Sequence, residues 1–307
     1  LKVAAIDIGS NAARLYICSF FNDGDDRARI KILEFVRVPL RLGESVFQDG
    51  LISADKEEDL KKMLISFKLL MDLFGVEDFR ACATSAMRES KNGQEVADRL
   101  KTETGIAIEI ITGQREAELI YKAHQGALEE GKKIMFVDVG GGSTEISLLH
   151  GEKQLASHSF DLGGVRILDG RDTEESWKEL KNWLKTVIRP LAPDYALGTG
   201  GNINKMFNLM SLKEGKFATS KQLQTTYDYV SSFPMEQRIK NLGLNSDRAD
   251  VILPACDIYL AVMKASGVNR VTISGLGLKE GIVAELLEKH YQAVIRLFQG
   301  NERFSVQ

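Results

Sequence analysis

"MFVDVGGGSTEISLL", Met135 to Leu149, is the stretch that decides the fold. An apolar run ends in Asp138. Three glycines, Gly140, Gly141 and Gly142, and two hydroxyls, Ser143 and Thr144, then lead to Glu145 and a second apolar run. Two short apolar segments around a glycine turn read as paired strands. Glycine has no side chain to block an anion and tolerates positive φ, so the N–H groups of such a turn converge on a phosphate. A carboxylate at the end of a buried strand is costly unless it is paired or bound to metal. Asp138 here, like Asp7 near the start of the chain, ends such a strand and is therefore a candidate ligand for a Mg²⁺ ion also held by phosphate oxygens, and Glu145, which begins the return strand, faces the same point if the hairpin is tight.

The same plan occurs near the start of the chain, where "VAAIDIGSN" carries Asp7, Ser10 and Asn11. Each copy continues with two more strand-like runs and then alternates helix and strand. The pattern is a duplication, and each half suits an α/β domain with a mixed sheet. We expect one domain over residues 1–125 and another over 126–307, joined near Gly126, with the last helix free to pack back on the first. Two such halves facing one another form a cleft with the turns on its floor. A third glycine turn, "GTGGN" at Gly198 to Asn202, follows a strand and opens a helix, so Gly200 lies where a helix N-terminus attracts anions.

Between the turns, Leu60, Met63, Leu64, Phe67, Leu70, Met71 and Phe74 recur at spacings of three and four. That spacing predicts an amphipathic helix over Ala54–Phe74 with Ser53 as its N-cap. A further helix is expected over Glu174–Leu191. "FRACATS" reads as a strand, and Arg88 follows it at the start of a loop, where its planar fork suits phosphate oxygens. "TGQREAELIY", Thr112 to Tyr121, places Arg115, Glu116 and Glu118 at the start of a helix. Acids there complement the helix dipole, and spacing does not choose between Glu116 and Glu118.

Composition narrows the classes. The 307 residues allow two cores. A net charge of −3 gives no bulk attraction for nucleic acid. No apolar run reaches the length of a membrane helix, and the N-terminus opens on a strand, not a signal peptide. Cys18, Cys82 and Cys256 are far apart with no CxxC, which fits inert buried thiols in a reducing compartment, the cytoplasm. His124, His150, His158 and His290 lack metal-ligand spacing. GxSxG, HExxH and Walker A patterns are absent.

Taken in order, "AAIDIGSNAARL", "ATSAMRESKN", "TGQREAELIY", "DVGGGSTEISL", "DLGGVRI", "GTGGN", "RADVILPA" and "SGLGLKEG" cover nearly the whole chain. Together they resemble the exopolyphosphatase and guanosine pentaphosphate phosphatase family, within the superfamily of actin and the sugar kinases. The resemblance implies two duplicated actin-like, ribonuclease H-like domains. It implies that Glu116 is the general base, with Arg88 as the catalytic arginine. It implies that Ser10, Asn11, Gly140, Gly141, Gly142, Ser143 and Gly200 bind the phosphate chain, with Arg166 and Arg248 as further contacts. Asp138, Glu145 and Asp7 are then the metal acids, and Mg²⁺ the cofactor. The reaction implied is release of terminal orthophosphate from inorganic polyphosphate or guanosine pentaphosphate, by a cytoplasmic homodimer of the short form without the C-terminal helical domain. The chain departs from the family pattern at Ala12 (a hydroxyl), Asn202 (threonine), Ala255 (glycine) and Lys279 (arginine). Two other readings stay open: a polyphosphate or guanosine-phosphate sensor with little turnover, and a small-molecule kinase of the same fold.

Overall fold

The computed structural model describes residues 1–22, 28–125, 129–151 and 153–291. The chain divides into two units, Leu1–Leu128 with Leu276–Gln307, and Glu129–Gly275. The expected join at Gly126 lies outside the described residues.

The first unit opens with three antiparallel strands, β1 (Lys2–Ile8), β2 (Ala13–Asn22) and β3 (Ala28–Val38). The helices α1 (Leu42–Asp49) and α2 (Ala54–Phe74) follow. Ser53 caps α2 by accepting from the Lys56 N–H, and the face carrying Leu60, Met63, Leu64, Phe67 and Met71 is buried. Then come β4 (Asp78–Ala83), α3 (Ser85–Glu89), α4 (Gly93–Thr104), β5 (Ile108–Ile110) and α5 (Gly113–Ala123). The expected strand "FRACATS" therefore stops at Ala83, and Arg88 stands on the short helix α3, not in a loop. The sheet order is β3-β2-β1-β4-β5, with β4 and β5 parallel to β1.

The second unit repeats this order. Its strands β6 (Lys133–Val139), β7 (Thr144–His150) and β8 (Lys153–Phe160) are antiparallel. They lead to α6 (Gly164–Leu168) and α7 (Glu174–Trp183). The expected helix to Leu191 changes character after Trp183, running as a π turn over Leu184–Ile188 and a 3₁₀ turn over Arg189–Leu191. Pro190 is the reason: it has no N–H to give and its ring crowds the carbonyl four residues back. Next are β9 (Tyr195–Thr199), α8 (Gly201–Leu209), β10 (Ala218–Thr219), α9 (Ser220–Ser231), α10 (Met235–Leu242), α11 (Ser246–Ala249), α12 (Ile252–Ser266) and β11 (Arg270–Ile273). The order β10-β11-β9-β6-β7-β8 contains the five-strand plan of the first sheet plus one edge strand. The last helix, α13 (Leu278–Tyr291), belongs to the first unit, where Leu278, Ile282, Val283, Leu286 and Leu287 join Val3, Ala5, Tyr16 and Leu119 in one core.

All three cysteines are buried and unbridged, and burial pushes the Cys18 and Cys82 thiols up to about 12. His124 closes α5 with its ring fully enclosed and its Nδ1 2.8 Å from the Ile120 carbonyl oxygen, so the neutral ring donates from Nδ1. Burial pushes this histidine down to about 4 against the pull of that carbonyl. The unfolded chain binds the proton first as pH falls. The contribution is thus whole above the ordinary histidine value of 6.5 and is lost between there and about 4. A shift of this size corresponds to at most about 3 kcal/mol. Denaturant titrations from pH 7 to 4 should show His124→Gln losing less stability on acidification than the parent; equal slopes would contradict the assignment.

Candidate active site

In the second unit Asp138 and Glu145 stand directly opposite one another across the β6–β7 pair, and so share a face. Their carboxylate oxygens come within 4.8 Å. Two acids so placed offer carboxylate oxygens to a single point. Glu145 is buried, and its Oε1 accepts from the hydroxyls of Ser143 at 2.7 Å and Ser159 at 2.8 Å. Those two bonds fix the carboxylate in one orientation. Hard oxygen donors of this kind suit a divalent cation such as Mg²⁺.

The four-residue turn between them, Gly140 to Ser143, closes through the Gly140 N–H donating to the Ser143 carbonyl at 2.9 Å. Its other carbonyls are taken by the start of α6. Gly164 N–H donates to Gly140, and the Val165 and Arg166 N–H groups donate to Gly141, at 2.8 to 3.0 Å. The Arg166 Nε donates to the Gly142 carbonyl at 2.8 Å. The motif "DLGGVRI" is therefore a brace for "DVGGGS". Gly163 makes the brace possible, since a methyl group there would lie 2.5 Å from the Gly141 carbonyl carbon and the Gly142 nitrogen.

The first unit uses the same device. Its turn, Gly9 to Ala12, closes through the Gly9 N–H and the Ala12 carbonyl at 3.2 Å. The segment opening α1 caps its carbonyls: Arg41 N–H donates to Asn11 and Gly43 N–H to Ser10. The buried Ser10 hydroxyl meets that of Ser85, at the start of α3, at 2.7 Å. The cross-strand pair differs, however. Asp7 faces Arg14, whose Nη1 donates to its carboxylate at 2.8 Å. The first turn thus balances its acid internally, where the second pairs two acids. Ala12 occupies the place of Ser143, and with no glutamate opposite, a hydroxyl there has no carboxylate to orient.

The structure separates the two glutamates that spacing leaves open. Thr112 caps α5 by accepting from the Arg115 N–H, which fixes the first turn. Glu116 is 7% exposed and Glu118 leaves α5 towards solvent with Arg115 as its partner. The Arg88 Nη1 lies 3.7 Å from the Glu116 carboxylate and also donates to the Ile111 carbonyl at 3.0 Å. Glu116 is thus a buried carboxylate beside an arginine, in the first turns of a helix.

At the third turn Gly200 has φ 96°, and a side chain there would meet the Asp138 carboxylate at 3.1 Å. The Arg248 guanidinium, from α11, covers Gly201 so closely that an added methyl would lie 2.5 Å from it. Tyr259, buried in α12, donates its hydroxyl to the carbonyls of Val137 and Thr199 at 2.9 Å each and so ties β6 to β9 beneath the turns. Sequence spacing gave no sign of Tyr259, Ser159 or Arg14. Lys279 pairs with Glu280 at 2.8 Å and lies over the rings of Tyr16 and Phe35, within 5.6 Å.

Two mixed sheets of one plan, each with a braced turn after its first strand, define an α/β protein of the actin-like class. Residues 23–290 match the Ppx/GppA phosphatase family, and the chain belongs to it. It is 24% identical to exopolyphosphatase 1 of Mycobacterium tuberculosis, over 94% of this chain and 89% of that protein. Among solved structures, the Aquifex aeolicus member of the Ppx/GppA family is 29% identical with a TM-score of 0.75, covering 95% of this chain and 99% of its own. An exopolyphosphatase from Cytophaga hutchinsonii is 25% identical with a TM-score of 0.80, covering 94% and 98%. Among the described residues no helix is long and apolar enough to cross a membrane.

Proposed function

We infer that the protein releases terminal orthophosphate from inorganic polyphosphate, with guanosine pentaphosphate as the second substrate of the same chemistry. The observation that carries this reading is the buried Glu116 carboxylate, set at the start of α5 beside Arg88. Glu116 takes the proton of the attacking water, and Arg88 holds it in place and meets charge on the transferred phosphoryl group. Asp138 and Glu145 would hold a divalent cation such as Mg²⁺, which would supply neutralisation of phosphate charge. With its carbonyls engaged by residues 164–166, the Gly140–Ser143 turn offers its N–H edge to phosphate oxygens. Arg166 serves that turn from beneath. Asp7 serves to hold Arg14, so the metal falls to the second hairpin. Gly200 keeps the space beside Asp138 open.

The test is phosphate release from short polyphosphate, long polyphosphate and guanosine pentaphosphate, with Mg²⁺ and after chelation. Release from polyphosphate that stops on chelation and returns with Mg²⁺ is expected. Binding without release from any of the three favours a sensor. ATP-dependent phosphorylation of a sugar or carboxylic acid favours the kinase reading.

A further inference from the structure

We propose that the α13 segment is a clamp that sets the position of Glu116, and that Gly281 and Glu285 are its positioning residues. The proposal rests on Glu116 being the base, as inferred above.

Helix α13 crosses α5 at its barest point. A methyl group on Gly281 would lie 2.5 Å from the Leu119 carbonyl carbon, 3.0 Å from its Cα and closer still to its oxygen. Side-chain carbons essentially never come within 3.0 Å of such atoms. Leu119 lies one turn after Glu116 on the same helix, so the depth of this contact fixes how far α5 sits from the core. Leu119 and Ile282 are both fully buried there, which leaves no slack on the inner side.

One helical turn further along α13, Glu285 fixes α5 lengthwise. Its carboxylate accepts from the Arg115 Nη2 at 2.6 and 2.7 Å and also takes the guanidinium of Arg80 from β4. Lys122, at the other end of α5, lies 3.6 Å from Glu285 and 2.5 Å from Glu288. Burial would raise the Glu285 carboxyl, but Arg115, Arg80 and Lys122 prevail and hold it below the usual range. Arg115 is the residue before Glu116, and its N–H is the one capped by Thr112. Glu285 thus grips the turn that carries the base, while Gly281 sets its height. Together they keep Glu116 at 3.7 Å from Arg88.

The experiment compares Gly281→Ala, Glu285→Ala and Lys289→Ala, each alone and with Glu116→Gln. Lys289 pairs with Asp78 at the far end of α13, at 2.7 Å, and controls for simple loss of docking. A displacement on the order of 1 Å at a base costs ten- to a hundredfold in turnover. We expect Gly281→Ala to lose that much kcat, and Glu285→Ala several-fold, with KM within threefold of the parent. Neither should reduce the residual turnover of Glu116→Gln further, and Lys289→Ala should keep parental kcat. If Gly281→Ala does not fold, Glu285→Ala decides alone. A folded Gly281→Ala or Glu285→Ala with parental kcat overturns the clamp. Equal loss in Lys289→Ala, or additive loss on the Glu116→Gln background, also overturns it. Parental turnover in Glu116→Gln alone instead removes the base assignment, and the clamp with it.

Discussion

Replacing Glu116 by glutamine should lower kcat for phosphate release about 10³-fold, within the range that general-base catalysis supplies, while KM changes only a few-fold. The amide fills the same space and keeps the side chain beside Arg88, but it takes no proton from water. The 7% exposure of Glu116 keeps bulk water from replacing the lost base. The contrast is Glu118→Gln, two residues along the same helix. Its side chain is 44% exposed and its partner is Arg115, so turnover should stay within twofold. Steady-state kinetics on polyphosphate for the two variants separate the roles. Equal effects, or full activity in Glu116→Gln, would end the assignment of Glu116 as base.

The contrast also shows what the sequence carried. Glycine turns, terminal acids and the 3.6-residue periodicity of α2 are local signals, and the hairpins, their braced turns and α2 lie where those signals put them. The choice between Glu116 and Glu118 depends on burial and on Arg88, which approaches from another element 28 positions away. Arg14 went unread because its meaning depends on register: only once Asp7 faces it does the first hairpin become an ion pair. Ser159 and Tyr259 act on groups brought to them by the sheet and by α12, and the chain around them reads as ordinary strand and helix.

The brace over each turn was half legible. "DLGGVRI" attracts notice as a motif, but the segment opening α1 performs the same task with "LRLGES", which shares little of that pattern. What is repeated there is donation by main-chain N–H groups, which many sequences can supply. Arg166 illustrates the same difficulty. An arginine in a glycine-rich motif suggests phosphate, but nothing in the motif shows that its Nε donates to the Gly142 carbonyl. The last helix is another case, since its place in the first unit is fixed by Gly281 against α5 and by Glu285 against Arg80 and Arg115, contacts more than 160 residues apart in sequence.

Gly163→Ala is expected to lower kcat/KM about 10³-fold, because several phosphate-facing donors move together and one such donor alone is worth 10² to 10³. The backbone at Gly163 is extended, φ −158° and ψ 162°, which alanine adopts without strain. The substitution therefore tests space, not conformation. The new methyl group meets the Gly141 carbonyl and the Gly142 nitrogen, so either the turn lifts or α6 withdraws and the turn loses the N–H groups that hold its carbonyls. Both responses displace the N–H edge, while the strands β6 and β7 remain paired through Asp138 and Glu145. The fold should survive with the thermal midpoint lowered by a few degrees, as for roughly 1 kcal/mol of strain. KM should rise together with the fall in kcat, because a turn that holds phosphate, as proposed, does so in the ground state as well as the transition state. That pattern differs from the one expected for Glu116→Gln, where kcat falls and KM barely moves. Parental kinetics in a folded Gly163→Ala protein would show that the turn does not hold the reacting phosphate.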